Sequence, residues 1–148
     1  FGSEDVAQVE SPFRQKFWPQ YWAVHHALAK LSPNGSVVLM SGGAGARPLP
    51  GVASYAACNS AIEGLGRALA IDLAPRRVNT VSPGTIDSPL WRGRPAAARE
   101  AAYAGFAAIS TLGRVGTVEE VADAVVFLMG NGFMSGTTLF ADGGYTLR

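Results

Sequence analysis

The chain reads as an α/β domain built on a parallel sheet, and three observations predict it. Val37-Val38-Leu39-Met40 is an unbroken apolar run between Asn34-Gly35 and Ser41-Gly42-Gly43, which suits a strand covered on both faces. Ala53 to Leu73 is dense in Ala, Leu and Ile at helical spacing, and Pro75 stops it. Arg77-Val78-Asn79-Thr80-Val81 then reads as a second buried strand, broken by Ser82-Pro83-Gly84. Strand, helix, strand is the βαβ unit, and ligands on such sheets sit beyond the carboxyl ends of the strands. Ser41, Tyr55 and Pro83-Gly84 are therefore expected to face one crevice.

The remaining elements follow in chain order. Ser11-Pro12 suits a helix start, with serine as cap and proline in the first turn, and the helix is expected to run to about Leu31. Pro19 lies inside it and should kink or split it by deleting a backbone donor. Phe17, Trp18, Tyr21 and Trp22 crowd one segment, an aromatic cluster of the kind usually buried in a core. His25 and His26 lack a partner histidine or carboxylate at metal-ligand spacing, so they read as ordinary helix residues and no metal site is expected. Between Ser88 and Ser110 the chain is rich in Ala, Arg and Gly, with Trp91, Tyr103 and Phe106 as its large rings, whose plain role is packing over the sheet. Thr117-Val-Glu-Glu120 is a capping box, after which Val118, Val121, Ala122, Val125, Leu128 and Met129 follow one helical face until Gly130.

Composition narrows the partners. Twelve basic against 11 acidic residues give a formal charge of +1, with no nucleic-acid footprint. Arg76-Arg77, between a helix end and a strand, reads as solvated or as countering a helix dipole. A single cysteine, Cys58, excludes an intrachain disulfide, fits a reducing cytoplasm and reads as a small packed helix residue. No apolar run approaches the roughly eighteen residues of a membrane span, and no signal peptide is evident. Gly42-Gly43-Ala44-Gly45 follows a strand, but Arg47-Pro48-Leu49-Pro50 comes where a phosphate-binding helix would begin, and no third glycine stands at the required step. Three parallel strands leave one sheet edge to be covered, either by further segments of the same polypeptide or by a second copy. Because Phe1 is not a start methionine, the 148 residues are expected to be a fragment or a processed portion of something longer.

These segments resemble, in order and over nearly the whole chain, the short-chain dehydrogenase/reductase family. Gly35-Ser-Val-Val-Leu-Met-Ser41 is similar to the strand that delivers the family's catalytic serine, and Ser54-Tyr55-Ala-Ala-Cys-Asn59 lies where its Tyr-x-x-x-Lys motif is found. Arg77-Val-Asn-Thr-Val-Ser-Pro-Gly84 is similar to the strand and Pro-Gly turn beside the nicotinamide. Leu112-Gly-Arg-Val-Gly-Thr117, the helix after it and Ser135-Gly136 through Asp142-Gly143-Gly144 resemble the closing helix and strand. The resemblance implies a Rossmann-like, doubly wound parallel sheet, here its C-terminal portion of about three strands with flanking helices, as a single partial domain over 1–148. It implies NAD or NADP as cofactor, with Pro83, Gly84, Ile86 and Ser88 at the nicotinamide, while the pyrophosphate and adenosine sites belong to an N-terminal half outside this chain. It further implies a substrate lid over 88–110 and a homo-oligomer formed through the helices around 11–31 and 53–73.

The departures fall on the chemistry. A tyrosine must carry a proton while a hydride moves between nicotinamide and carbon, and a free phenol, with a pKa of about 10, is a sluggish base near neutrality without a nearby cation. Where the family has lysine, this chain has Asn59, whose amide carries no charge. Lys16, in Phe13-Arg-Gln-Lys16-Phe-Trp, lies near the place of a family asparagine, so either the two have exchanged roles or Lys16 is a solvated helix residue. Aligning the glycine-rich turn on Ala44-Gly45 puts Gly42, not Ser41, at the catalytic serine position; the register admits both.

Two functions compete. One is an NAD(P)-dependent oxidoreductase acting on a small carbonyl or alcohol, with Tyr55 as acid/base, Ser41 holding the carbonyl, Lys16 as cation and Asn59 in a polar, water-holding role. The other is a catalytically impaired homologue serving as a binding or assembly subunit. A cofactor-free elimination, as in the related halohydrin dehalogenases, calls for arginine at position 59, which Asn59 does not supply.

Overall fold

The computed structural model describes residues 1–147. Its first helix, α1 (Val6–Pro12), starts earlier than Ser11-Pro12: Asp5 is the cap, its carboxylate accepting from the Gln8 amide at 3.1 Å, and Ser11 lies in the last turn. A π-helical turn, Phe13–Phe17, follows, and the Trp18 amide reaches back five residues to the Phe13 carbonyl. Then comes α2 (Trp18–Ala27), with Pro19 in its first turn. The expected break at Pro19 takes this form because the widened turn re-registers the ladder just before the proline, which removes a donor and crowds the carbonyl four residues back.

A short 3₁₀ turn, Leu28–Lys30, leads to β1 (Ser36–Met40), and α3 (Ala53–Asp72) and β2 (Arg77–Pro83) complete the βαβ unit. The strand β2 extends two residues past Val81, because Ser82 and Pro83 pair with Phe140 and Ala141 of β5 (Thr138–Ala141). The sheet order is β1-β2-β5, all parallel, with Val38 opposite Asn79 and Val81 opposite Leu139. A separate two-residue ladder joins β3 (Ile86–Asp87) to β4 (Gly116–Thr117). Between them lie α4 (Pro89–Arg92) and α5 (Ala96–Ile109), so the segment expected as a lid is two helices.

One face of the sheet packs on α2 and α3 through Val24, Leu39, Cys58, Ile62 and Val78, with Phe13 and Phe17 against them. Gly66 of α3 sits so close to the Thr80 hydroxyl that a Cβ there would collide with it. The other face carries α6 (Val118–Gly130), whose Thr117–Glu120 capping box forms as expected, the Glu120 amide donating to Thr117 Oγ1 at 3.3 Å and the Thr117 amide to Glu120 Oε2 at 2.9 Å. Arg77 donates to the Leu128 and Met129 carbonyls, both at 2.7 Å, and so counters the carboxyl end of α6. Arg76 donates to Leu31 and Ser32 carbonyls at 3.2 and 3.1 Å.

The outer edge of β1 is partly closed by a side chain. Gln20 accepts from the Met40 amide at 2.7 Å and donates to its carbonyl at 3.1 Å, imitating a neighbouring strand for one residue. The aromatic segment divides: Phe13 and Phe17 turn inward, whereas Trp18 and Trp22 remain 46% and 47% exposed. Among the described residues, no helix is long and apolar enough to cross a membrane.

Candidate functional site

A cavity of about 770 Å³ opens beyond the carboxyl ends of β1 and β2. Its base is Met40 to Ala44 and Pro83 to Ile86; Tyr55, Leu49 and Val52 form one wall, and Leu90, Trp91 and Phe106 from α4 and α5 form another. Of the residues singled out from sequence, Ser41, Tyr55, Pro83, Gly84, Ile86 and Ser88 all line it. Lys16 and Asn59 lie behind that surface.

Tyr55 stands in the first turn of α3 and is 43% exposed. Facing it is Lys16, whose Nζ lies 5.1 Å from the centre of the phenol ring. The same ammonium donates to Asn59 Oδ1 at 2.6 Å and to the Ser41 carbonyl at 2.8 Å. The π-helical turn carries Lys16, and i to i+4 spacing places Asn59 one turn behind Tyr55. An ammonium only donates, so the amide oxygen must face Lys16. Asn59 Nδ2 is thereby left as a buried donor without a partner, and the whole amide lies against Gly42, where a Cβ would stand 3.3 Å from Oδ1 and 3.5 Å from Nδ2.

Ser41 departs from its expected aim. Its hydroxyl lies 2.8 Å from Glu63 Oε1 and 3.1 Å from the Asn59 carbonyl, so it engages α3 rather than projecting into the cavity. Strand alternation explains this: Leu39 and Ser41 share the α3 side of β1. Gly42, the alternative at that register, brings no hydroxyl.

The α4–α5 segment is held by Asp87, which accepts from Arg92 Nε and Nη2 at 3.1 and 3.2 Å and from the Tyr103 hydroxyl at 3.0 Å. Arg92 first, then Tyr103, hold the Asp87 carboxyl below its usual range; burial, then Asp87, push the Tyr103 phenol up. Cys58 is fully buried, with Sγ 3.3 Å from the Pro12 carbonyl, and burial pushes its thiol up against the opposing Lys16 charge. Among the described residues, no three His, Cys, Asp or Glu side chains gather as metal ligands.

Sequence reasoning missed Glu63, Arg47, Arg94 and Tyr145. Arg47 donates to the Tyr145 carbonyl at 2.8 Å while Tyr145 donates its hydroxyl to the Arg47 carbonyl at 2.8 Å, which ties the loop after β1 to the chain's last turn. The only signal in the sequence was an aromatic residue directly after Asp142-Gly143-Gly144. Glu63 had one: it lies on the same face of α3 as Asn59, at i+4.

Residues 16–146 match the family model described as Enoyl-(Acyl carrier protein) reductase. The chain is 38% identical over 113 residues to the short-chain dehydrogenase/reductase ATR9 of Stachybotrys chlorohalonatus, covering 76% of this chain and 44% of that protein. It is 39% identical over 127 residues to the cis-4-hydroxycyclohexanecarboxylate dehydrogenase of Sinomonas cyclohexanicum, covering 82% and 49%. A crystal structure of a small-chain dehydrogenase in complex with NADPH superposes with a TM-score of 0.93 at 34% identity, covering 99% of this chain and 67% of that one. This chain therefore belongs to the short-chain dehydrogenase/reductase family and shares its Rossmann-like sheet. It spans about half the length of the curated relatives it matches.

Proposed function

We propose that the protein bearing this chain is an NAD(P)-dependent oxidoreductase that reduces a small carbonyl or oxidises the matching alcohol, with Tyr55 as proton carrier. The observation that carries this reading is the Lys16 ammonium, which faces the Tyr55 ring while gripping Asn59. In this reading lysine and asparagine have exchanged places: the cation comes from the neighbouring helix, and the amide holds it. The Lys16 ammonium, 5.1 Å from the centre of the Tyr55 ring, puts a positive charge beside the group proposed to carry the proton.

The residues present fit the nicotinamide end of the cofactor. Gly42-Gly43 and Pro83-Gly84 give a base bare of large side chains, Ile86 and Ser88 stand beside it, and Asn59 Nδ2 is an orphaned donor directly behind. Bound there, the nicotinamide would supply or accept the hydride. Tyr55 donates its proton to the carbonyl oxygen in reduction and accepts it in oxidation, Lys16 stabilises the intervening phenolate, and the lid helices exclude water. Ser41, engaged by Glu63, holds the carbonyl only if that contact opens, so Tyr55 is the principal donor. The half-exposed Trp18 and Trp22 support burial of the α2 face against a second copy.

The impaired-homologue reading draws on one observation, that neither Gly42 nor Ser41 presents a free hydroxyl. Assaying the full polypeptide with NADH and NADPH over a panel of ketones, aldehydes and alcohols separates the two. Turnover that Tyr55→Phe abolishes supports the oxidoreductase; tight nicotinamide binding without turnover supports the binding subunit.

A further inference from the structure

We propose that the cavity takes a substrate joining an apolar body to a carboxylate, and that Arg94 is the residue that receives the carboxylate. This rests on the oxidoreductase reading above and narrows its substrate class. The cavity wall is built mostly of Leu49, Val52, Leu90, Trp91 and Phe106, and Arg94 is, among the described residues, its one formally charged lining side chain. A wall of this kind buries hydrocarbon and uses a few placed polar groups to fix orientation.

Two arginines flank the end of α4, and they differ in what they hold. Arg92 is committed to Asp87 through Nε and Nη2. Among the described residues, the arginine ion pairs are those of Arg14 with Glu10, Arg92 with Asp87 and Arg114 with Glu120, which leaves the Arg94 charge uncompensated. Its guanidinium carbon lies 4.3 Å over the Trp91 ring. The cation–π contact anchors the guanidinium, whose N–H groups make no hydrogen bond to the described residues and are left to meet a carboxylate, a partner that guanidinium can engage with two parallel hydrogen bonds. With Arg92 taken up by Asp87, Arg94 offers a single uncompensated charge, which suits a carboxylate better than a doubly charged phosphate.

The test uses the full polypeptide with 4-acetylbenzoate and its methyl ester, which share one apolar body and one reducible carbonyl. The acid is expected to exceed the ester in kcat/KM by about tenfold or more, from charge-assisted hydrogen bonding, with the ratio falling to about one in Arg94→Gln and remaining intermediate in Arg94→Lys. Equal kcat/KM for acid and ester in the unsubstituted protein, or an unchanged ratio in Arg94→Gln, overturns the proposal. Equilibrium binding of 4-acetylbenzoate keeps the question open to decision without turnover. A loss of about tenfold in affinity on Arg94→Gln supports the carboxylate site even if neither nicotinamide gives reduction, a result that would count against the oxidoreductase reading alone. Binding that is absent, or indifferent to Arg94→Gln, overturns the carboxylate site.

Discussion

The two faces of the sheet handle their polar groups differently. On the α6 side, Arg77 ends on helix carbonyls, Asn79 bridges the Met134 carbonyl at 2.8 Å and the Thr137 amide at 3.2 Å, and the capping box closes on itself. On the α3 side, toward the cavity, Asn59 Nδ2 and Ser82 Oγ are buried without partners, and a half-buried lysine is held by an amide and a carbonyl but by no carboxylate. The third such orphan, Ser36 Oγ, lies at the far end of β1. Buried polar groups are normally satisfied, so the two orphans at the carboxyl end of the α3 face single out that end as the place a ligand would repay, while Ser36, on the α6 face by strand alternation, is an orphan away from it.

That contrast yields a ranked set of ways to break it. Tyr55→Phe removes the hydroxyl proposed to carry the proton and is expected to cut kcat about a hundred- to ten-thousandfold, measured by nicotinamide absorbance, with little change in thermal stability. Lys16→Met removes the charge while keeping the stem, and a loss of about a hundredfold in kcat/KM is expected. Survival of full activity in Lys16→Met would return that residue to the status of an ordinary helix lysine. Ser41→Ala deletes the contact to Glu63; the expected cost is roughly 1 kcal/mol in denaturant unfolding, with a rate change under about tenfold. A rate loss of a hundredfold would instead put the Ser41 hydroxyl back on the substrate.

The smallest effect belongs to the α6 face. Hydrogen bonds from Arg114 first, then the Thr117 amide, lower Glu120 from 4.5 to about 2. A carboxylate whose folded value is depressed stabilises the fold above its unfolded value and loses that contribution as pH falls through the folded one. Glu120→Gln should therefore lower the urea midpoint slightly above pH 4.5, with the difference closing between pH 4.5 and about 2. A difference independent of pH would assign Glu120 to capping geometry alone.

The parts of this molecule legible in sequence are those set by local pattern. Val37–Met40, Ala53–Leu73 and the Thr117 capping box needed only apolar runs, helical spacing and a four-residue cap, and each forms within a residue or two of expectation. The first helix start was legible too, since Asp5 and Gln8 have capping spacing, but Ser11-Pro12 drew the assignment away from it. The π-helical turn has no such local signature, and it is what delivers Lys16. The contact from Lys16 to Asn59 spans 43 residues and that from Ser41 to Glu63 spans 22, so sequence could suggest the first only through resemblance and for the second offered only Glu63 on the Asn59 face of α3.

The most direct measurement is the rate of carbonyl reduction in the exchanged variant, Lys16→Asn together with Asn59→Lys, beside Lys16→Asn alone. The account predicts that the single change costs about a hundredfold and that the exchange restores activity to within about tenfold of the starting protein, because the phenol regains a cation from its own helix. If Lys16→Asn alone reduces substrate as fast as the unsubstituted protein, the ammonium beside Tyr55 is not part of the chemistry.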